Sequence, residues 1–306
     1  MFKNYRGEFF LVSGSFFFAF NGIIAKLLLE DGLSPWRLTQ VRCTGAFLLL
    51  FTIVLLRNRE SLKATRTELP LLGLYGLIGI AAVQVGYFIA ISRMHVSIAL
   101  IIEFTAPIWI VLWLRYVKKK FVPRQMWIAI VLAFTGMLFV AQIWKGQTLD
   151  TIGVIAATLD AFALAYYFLL GEKLSVKRST ESLVVWGFGA ASLGFVIALP
   201  VWNFPFEVFT KQINLQGIFS SYSSPGWTII LWVVVMGTIV PYLCIMTGLK
   251  ELSASTTSVI GMLEPVIAGA FAWWWLRERL TTLQLIGGAI VIAGILLADR
   301  ARSKSK

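Results

Sequence analysis

Four ionisable side chains, Arg42, Glu103, Asp160 and Glu264, stand well inside long apolar runs of the sequence. A charge at the centre of a bilayer costs at least ~2.5–3.5 kcal/mol on insertion scales, so each is expected to face a polar cavity and to serve a substrate or proton pathway. Glu264 directly precedes Pro265, and Glu103 lies four residues before Pro107. Proline offers no N–H and its ring crowds the preceding turn, so Pro107 and Pro265 predict structural breaks in their helices, with freed carbonyls nearby. A carboxyl at such a break is placed to bind a cationic group or carry a coupling proton; the plainer alternative is that it satisfies the loosened backbone. Glu103 shares one helical stripe with His95, Ala99 and Pro107, and that stripe is expected to face the cavity. A proton-coupled carrier needs an acid so placed.

Asp160 has Tyr167 seven residues on, hence on the same side, with Tyr166 beside it. Together they suit an amine or hydroxyl, while an interhelical hydrogen bond explains Asp160 equally simply. Arg42 lies about one and a half turns inside its helix, close enough for its stem to snorkel back to the headgroups. Asn21, Gln84 and Tyr87 add uncharged polar groups, as pathway residues or as glue between helices. His95 reads as an interfacial residue.

Much chemistry is excluded. One histidine and two cysteines, Cys43 and Cys244, both within apolar runs, form no metal site and no disulfide framework. No G-x-x-x-x-G-K-[ST] phosphate loop and no H-E-x-x-H motif occurs. Neither an enzyme nor a cofactor or metal is expected, and ATP coupling would need a separate subunit. The 14% aromatic content does not specify an aromatic substrate, because most such rings should face lipid or neighbouring helices.

The elements that must position these residues are membrane helices. Of the 306 residues 58% are hydrophobic and 14% charged, with a mean hydropathy of +0.81, whereas soluble domains run near ~25% charged. A soluble enzyme is excluded. Ten apolar segments of about twenty residues, the length that crosses ~30 Å of hydrocarbon, fall at 9–28, 37–56, 69–92, 96–115, 123–143, 152–171, 183–202, 227–249, 254–276 and 283–299. The first follows Lys3 and Arg6, but no small-x-small cleavage site comes after it, so it reads as a membrane helix rather than a signal peptide. The longest connection, 203–226, leaves no room for a soluble domain; its Phe206, Phe209 and Ile213 have helical spacing, but a plain interfacial loop is expected.

The formal charge of +12 belongs to the loops and does not indicate nucleic acid. With both tails cytoplasmic, nineteen of the 27 Lys and Arg residues fall on that side, seven on the other, and Arg42 within the membrane. This satisfies the positive-inside rule and predicts an integral protein of the cytoplasmic (inner) membrane. Trp36, Trp144, Trp202, Trp227 and Trp273 to Trp275 then fall at outer ends, as interfacial anchors.

Sliding the chain on itself by 158 residues aligns segments four and five with nine and ten without a gap. Ser97 meets Ser255, Ile102 meets Ile260, Pro107 meets Pro265, Ile128 meets Ile286, Gly136 meets Gly294 and Leu138 meets Leu296. A repeat of five helices places its second copy upside down in the membrane. The expected fold is therefore all-α and polytopic: ten transmembrane helices as two inverted five-helix repeats, 1–145 and 146–306, in one bundle. Small-residue pairs such as Ala82 and Gly86, or Ala129 and Ala133, are expected at helix contacts.

The chain resembles the EamA family of the drug/metabolite transporter superfamily along nearly its whole length. The resemblance rests on Leu38-Thr-Gln-Val-Arg42-Cys-Thr-Gly-Ala-Phe, on Met94-His-Val-Ser97 continuing to Glu103-Phe-Thr-Ala-Pro107, on Leu252-Ser-Ala-Ser255 and Leu263-Glu264-Pro265, and on Leu276-Arg-Glu-Arg279-Leu before Gln284-Leu-Ile-Gly287 and Gly294. It implies a ten-helix carrier that moves small metabolites, most often outward, and its match at Arg42 implies a bracing role for that residue. The copies differ in one place that matters: Ala106 takes the position of Glu264, and no arginine in the second copy matches Arg42. The expected function is secondary transport of a small polar metabolite, such as export of an amino acid, by alternating access, with or without protons. A channel or a receptor is the competing class. The partners expected are the metabolite, protons and the lipid bilayer, with no nucleic acid; the oligomeric state is left open.

Overall fold

A computed structural model describes residues 5–94, 96–142, 149–277 and 280–303. Among them ten helices are long and apolar enough to cross a membrane: α1 Arg6–Glu30, α2 Pro35–Arg57, α3 Leu69–Arg93, α4 Ile98–Val117, α5 Arg124–Ala141, α6 Thr151–Ser175, α7 Thr180–Ala198, α8 Gly226–Glu251, α9 Ala254–Trp275 and α10 Thr282–Ala301. Each corresponds to one apolar segment of the sequence. Hydroxyl and carboxylate caps start several of them. Ser34 Oγ accepts from the Arg37 N–H at 3.3 Å, with Pro35 in the first turn, and Asp150 Oδ1 accepts from the Gly153 N–H at 2.8 Å.

The irregularities inside the helices recur at the 158-residue offset found in the sequence. α4 is interrupted by a turn at Phe104 and Thr105, α9 by one at Met262 and Leu263. α3 widens to π-type turns over Leu77–Ala82, and α8 over Val235–Ile239. Left-handed backbone follows α4 at Lys119 (φ 51°) and ends α9 at Arg277 (φ 57°).

Helix pairing follows the same relation. α1 packs on α8 and α9, while α6 packs on α3 and α4; α2 pairs with α7 and α5 with α10. Small residues set the closest approaches. A Cβ on Gly136 would lie 2.6 Å from Gly287 O and 2.7 Å from Val291 N, and one on Gly294 would lie 2.9 Å from Ala129 O and 2.8 Å from Ala133 N. Ascending positions of α5 thus meet descending positions of α10, and the two helices run antiparallel.

The connection between α7 and α8 is no plain loop. It holds a two-stranded antiparallel hairpin, β1 Gln212–Asn214 with β2 Ser223–Pro225. The helical spacing of Phe206, Phe209 and Ile213 is not realised: the two phenylalanines lie in a short 3₁₀ turn, and Ile213 is buried on a strand. Lys211 Nζ pairs with Asp31 Oδ2 at 2.9 Å, Gln216 Nε2 donates to Glu30 Oε2 at 2.6 Å, and Trp275 Nε1 donates to Leu215 O at 2.9 Å. The connection therefore caps the ends of α1 and α9. This also corrects the expectation for Trp275, which is buried under the cap, whereas Trp36, Trp202, Trp227, Trp273 and Trp274 are exposed as anchors should be. Trp144 lies outside the described residues.

Candidate functional site

The centre of the bundle holds a cavity of about 120 Å³ of water-accessible space, walled by α1, α3, α4, α6, α8 and α9, with Arg42 reaching in from α2. Seven of the polar positions singled out in the sequence meet there: Asn21, Arg42, Gln84, Tyr87, Glu103, Tyr167 and Glu264. Prolines explain much of its chemistry. Pro107 and Pro265 have no N–H for the carbonyls four residues earlier, those of Glu103 and Gly261, and both residues line the cavity. Thr105 Oγ1 donates to Ile102 O at 2.7 Å, closing part of the first break.

A third proline acts in α8, and its significance was not read from the sequence. Pro241 leaves the carbonyl of Gly237 without its helical donor, and Arg42 Nη2 donates to it at 3.1 Å while Nε donates to Thr238 Oγ1 at 3.0 Å. The guanidinium also lies 5.4 Å from the Phe88 ring centroid. Arg42 is therefore buried and ties α2 to α8; its stem does not snorkel to the surface.

Several cavity atoms are buried with no hydrogen-bond partner among the described residues: Ser15 Oγ, Asn21 Oδ1, Gln84 Oε1, Glu103 Oε2 and the Tyr167 hydroxyl. Asn21 is pressed against Gly237, and Gln84 Nε2 donates to Cys43 Sγ at 3.5 Å. Unpaired polar groups are costly in a low-dielectric interior, so a polar occupant that supplies hydrogen-bond donors fits this lining.

Asp160 is not on the cavity wall. It is 1% exposed behind it, against Gly86, where a Cβ would come within 2.8 Å of the Asp160 Cβ. Neither carboxyl oxygen has a partner among the described residues, although Glu103 and Glu264 are near enough to act on Asp160 electrostatically. Nor does the α4 stripe face the cavity as a whole. Ala99 packs with Ala90, Met94, Ile98 and Ala157, Pro107 is buried away from the cavity, and only Glu103 reaches it. His95 lies outside the described residues.

Toward the face opposite the tails the cavity continues into a vestibule, which shares Phe18, Gly22, Tyr87 and Glu264 with it and reaches Lys26, Glu30, Ser92 and Gln284 at helix ends. Toward the tails it is shut. Tyr167 stacks on Tyr75 at 5.4 Å, the Tyr75 hydroxyl donates to Met246 Sδ at 3.1 Å, and Leu11, Tyr75 and Met246 are fully buried. Below them Gly7 meets Glu251, which pairs with Arg6 at 3.4 Å. Ser15, Tyr242, Gly237 and Thr238 are site residues that sequence reasoning missed. Pro241 was the available signal for the last three. Among the described residues no three His, Cys, Asp or Glu side chains converge to hold a metal.

A ten-helix bundle with a central cavity whose largely apolar wall carries a few polar side chains, open to one face and closed to the other, has the form of a membrane transporter. The sequence comparisons give the family: the model of the EamA-like transporter family matches residues 5–142 and again 151–298, and the chain belongs to that family. It is 24% identical over 291 residues to the uncharacterized transporter YdfC of Bacillus subtilis (strain 168), covering 93% of this chain and 87% of that one. It is 26% identical over 250 residues to the threonine/homoserine exporter RhtA of Escherichia coli (strain K12), covering 79% and 76%. A crystal structure shares the fold at a TM-score of 0.76 with 14% identity, covering 98% of each chain. The protein is thus an integral membrane transporter, and its family and relatives point away from catalysis.

Proposed function

We propose that the chain is a secondary exporter of amino acids or related small polar metabolites that works by alternating access of two inverted five-helix repeats, 1–145 and 146–306. The observation that carries this reading is the central cavity: it lies at two proline-broken helices, opens to one face through the vestibule, and is shut to the other by the Tyr75 and Met246 layer. Inversion is supported by the antiparallel contact of α5 with α10 and by irregularities that recur 158 residues apart. With both tails cytoplasmic, as the distribution of Lys and Arg favours, the described conformation is outward-facing.

The substrate class follows from the lining. Asn21 Oδ1, Gln84 Oε1, Glu103 Oε2 and the freed carbonyls of Glu103 and Gly261 are acceptors, which suits an ammonium group, with Glu264 supplying a second carboxylate. Arg42 commits Nε and Nη2 to the protein and, among the described residues, supplies the one cation on the cavity lining, suited to a substrate carboxylate. The relative that exports threonine and homoserine agrees with such a zwitterion. The grouping of Glu103, Asp160 and Glu264 favours proton coupling over proton-independent exchange.

The test is flux of labelled amino acids, nucleosides, sugars and organic acids in proteoliposomes, with and without a pH gradient, for wild type, Glu103→Gln and Glu264→Gln. Saturable, trans-stimulated flux of an amino acid that the gradient accelerates, and that loses the acceleration in either variant, is expected. Flux indifferent to the gradient and to both substitutions would remove the proton and leave a facilitative exchanger with structural glutamates. Unsaturable flux would indicate a channel, and no flux of any compound would overturn the carrier reading.

A further inference from the structure

We propose that the connection between α4 and α5 is a docking surface for anionic lipid headgroups in the leaflet on the side of the tails. Five cations, Arg115, Lys118, Lys119, Lys120 and Arg124, fall within ten positions, and no acidic residue occurs between Glu103 and Asp150. All five are exposed. Among the described residues none of them forms an ion pair. Lys120 is near enough to Glu172 to influence it, but Glu172 accepts from the Ala254 N–H instead.

The segment is held in shape without its charges. α4 ends in a widened turn over Trp113–Val117, the Lys120 N–H donates to Leu114 O at 2.9 Å, and Lys119 takes left-handed backbone at φ 51°. The counterpart positions 158 residues on repeat that left-handed residue at Arg277 (φ 57°) and keep a cation there, yet Trp273, Leu276, Glu278 and Thr282 stand where Arg115, Lys118, Lys120 and Arg124 stand here. One backbone course therefore carries a net charge of +5 over 115–124 at one membrane face and of +1 over 273–282 at the other. The fold does not demand the lysines, so they answer to what surrounds that face.

Apolar side chains interleaved with the cations identify the surroundings. Tyr116 is 71%, Val117 54% and Phe121 80% exposed, an arrangement that water would penalise and that the headgroup region accommodates. A soluble polyanion would leave these three side chains wet. Lysine and arginine beside them meet lipid phosphates, an attraction that salt screens within about a Debye length. The same half of α4 begins at the break beside Glu103, so a lipid held here restrains the far end of an element that lines the cavity.

Native mass spectrometry of the purified full chain, offered phosphatidylglycerol or phosphatidylcholine at low and high salt, tests this. Wild type is expected to retain phosphatidylglycerol several-fold over phosphatidylcholine, with the preference shrinking in salt. The K118Q/K119Q/K120Q variant is expected to lose most of that preference, and the corresponding triple arginine variant to keep it. If the glutamine variant does not fold, R115Q with R124Q carries the same expectation. No preference in wild type, or a preference unchanged in the folded glutamine variants, overturns the proposal. A C-terminal topology reporter confirms that the variants keep their orientation. Because the readout involves no substrate, it stands apart from the transport reading.

Discussion

Replacing Gly136 by alanine would put a Cβ 2.6 Å from the carbonyl oxygen of Gly287, and replacing Gly287 would put one 2.6 Å from the carbonyl oxygen of Gly136. Real Cβ atoms essentially never approach within 3.0 Å, so the helices must part by at least about 0.4 Å, and by about 0.8 Å to reach ordinary contact at 3.4 Å. The nearest obstructing atom in each case is a backbone carbonyl oxygen, so no side-chain rotation relieves the clash. Overpacking of this kind costs ~1–3 kcal/mol, from which the helix preference of alanine over glycine returns up to ~1 kcal/mol. Each single substitution is therefore expected to lower stability by about 1–2 kcal/mol, the upper part of the ~0–2 kcal/mol that remains, because a backbone obstruction can yield only by moving a helix. The separation that relieves one clash also relieves the other, so the double variant should fall short of the sum by more than the ~0.5 kcal/mol tolerated for independent sites. Reversible unfolding in mixed micelles with increasing denaturing detergent measures all three. Additive losses, or a neutral effect of either single substitution, would refute the reciprocal contact.

Two further outcomes are expected. Arg42→Met leaves the Gly237 carbonyl unpaired in the core, which should cost ~1–3 kcal/mol in the same unfolding assay; Arg42→Lys, a point charge without the fork, should lose part of that and not all. On the tail side, hydrogen bonds from the Thr65 N–H and hydroxyl, and then the Arg178 guanidinium, hold the Glu68 carboxyl below the usual carboxylate range. A depressed folded value contributes stability that is present above the ordinary glutamate range and is lost as pH falls through the lower value. Hydrogen exchange of 59–68, corrected for its intrinsic pH dependence, should therefore rise at acid pH in wild type, and Glu68→Gln should flatten that response.

The spans and both breaks at the centre were legible because they depend on local properties. Twenty apolar residues make a span wherever they occur, and a proline removes its N–H whatever surrounds it. Contacts between helices were not legible. Nothing near Arg42 in sequence reveals that its partner is a carbonyl 195 positions away, freed by Pro241. Asp160 and Tyr167 lie seven residues apart on α6, yet a slight rotation about the helix axis puts the tyrosine in the cavity and the acid behind the wall. Ala99 and Glu103 share a face of α4, but the close approach of α3 and α6 covers one and leaves the other open. The cap over α1 and α9 was hidden for a similar reason: Lys211 and Gln216 meet Asp31 and Glu30 across the length of six helices.

The packing of α1 on α8 and α9, and of α6 on α3 and α4, means that the leading helix of each five-helix stretch lodges in the other stretch. Neither stretch by itself encloses a cavity, and neither can bury its leading helix until the other is present. During synthesis α1 must wait in lipid while six more helices are made before α8 arrives to receive it. The same interlocking is what two separate five-helix chains would achieve by exchanging their first helices. In that geometry a single-chain protein and a swapped dimer differ by one covalent linker.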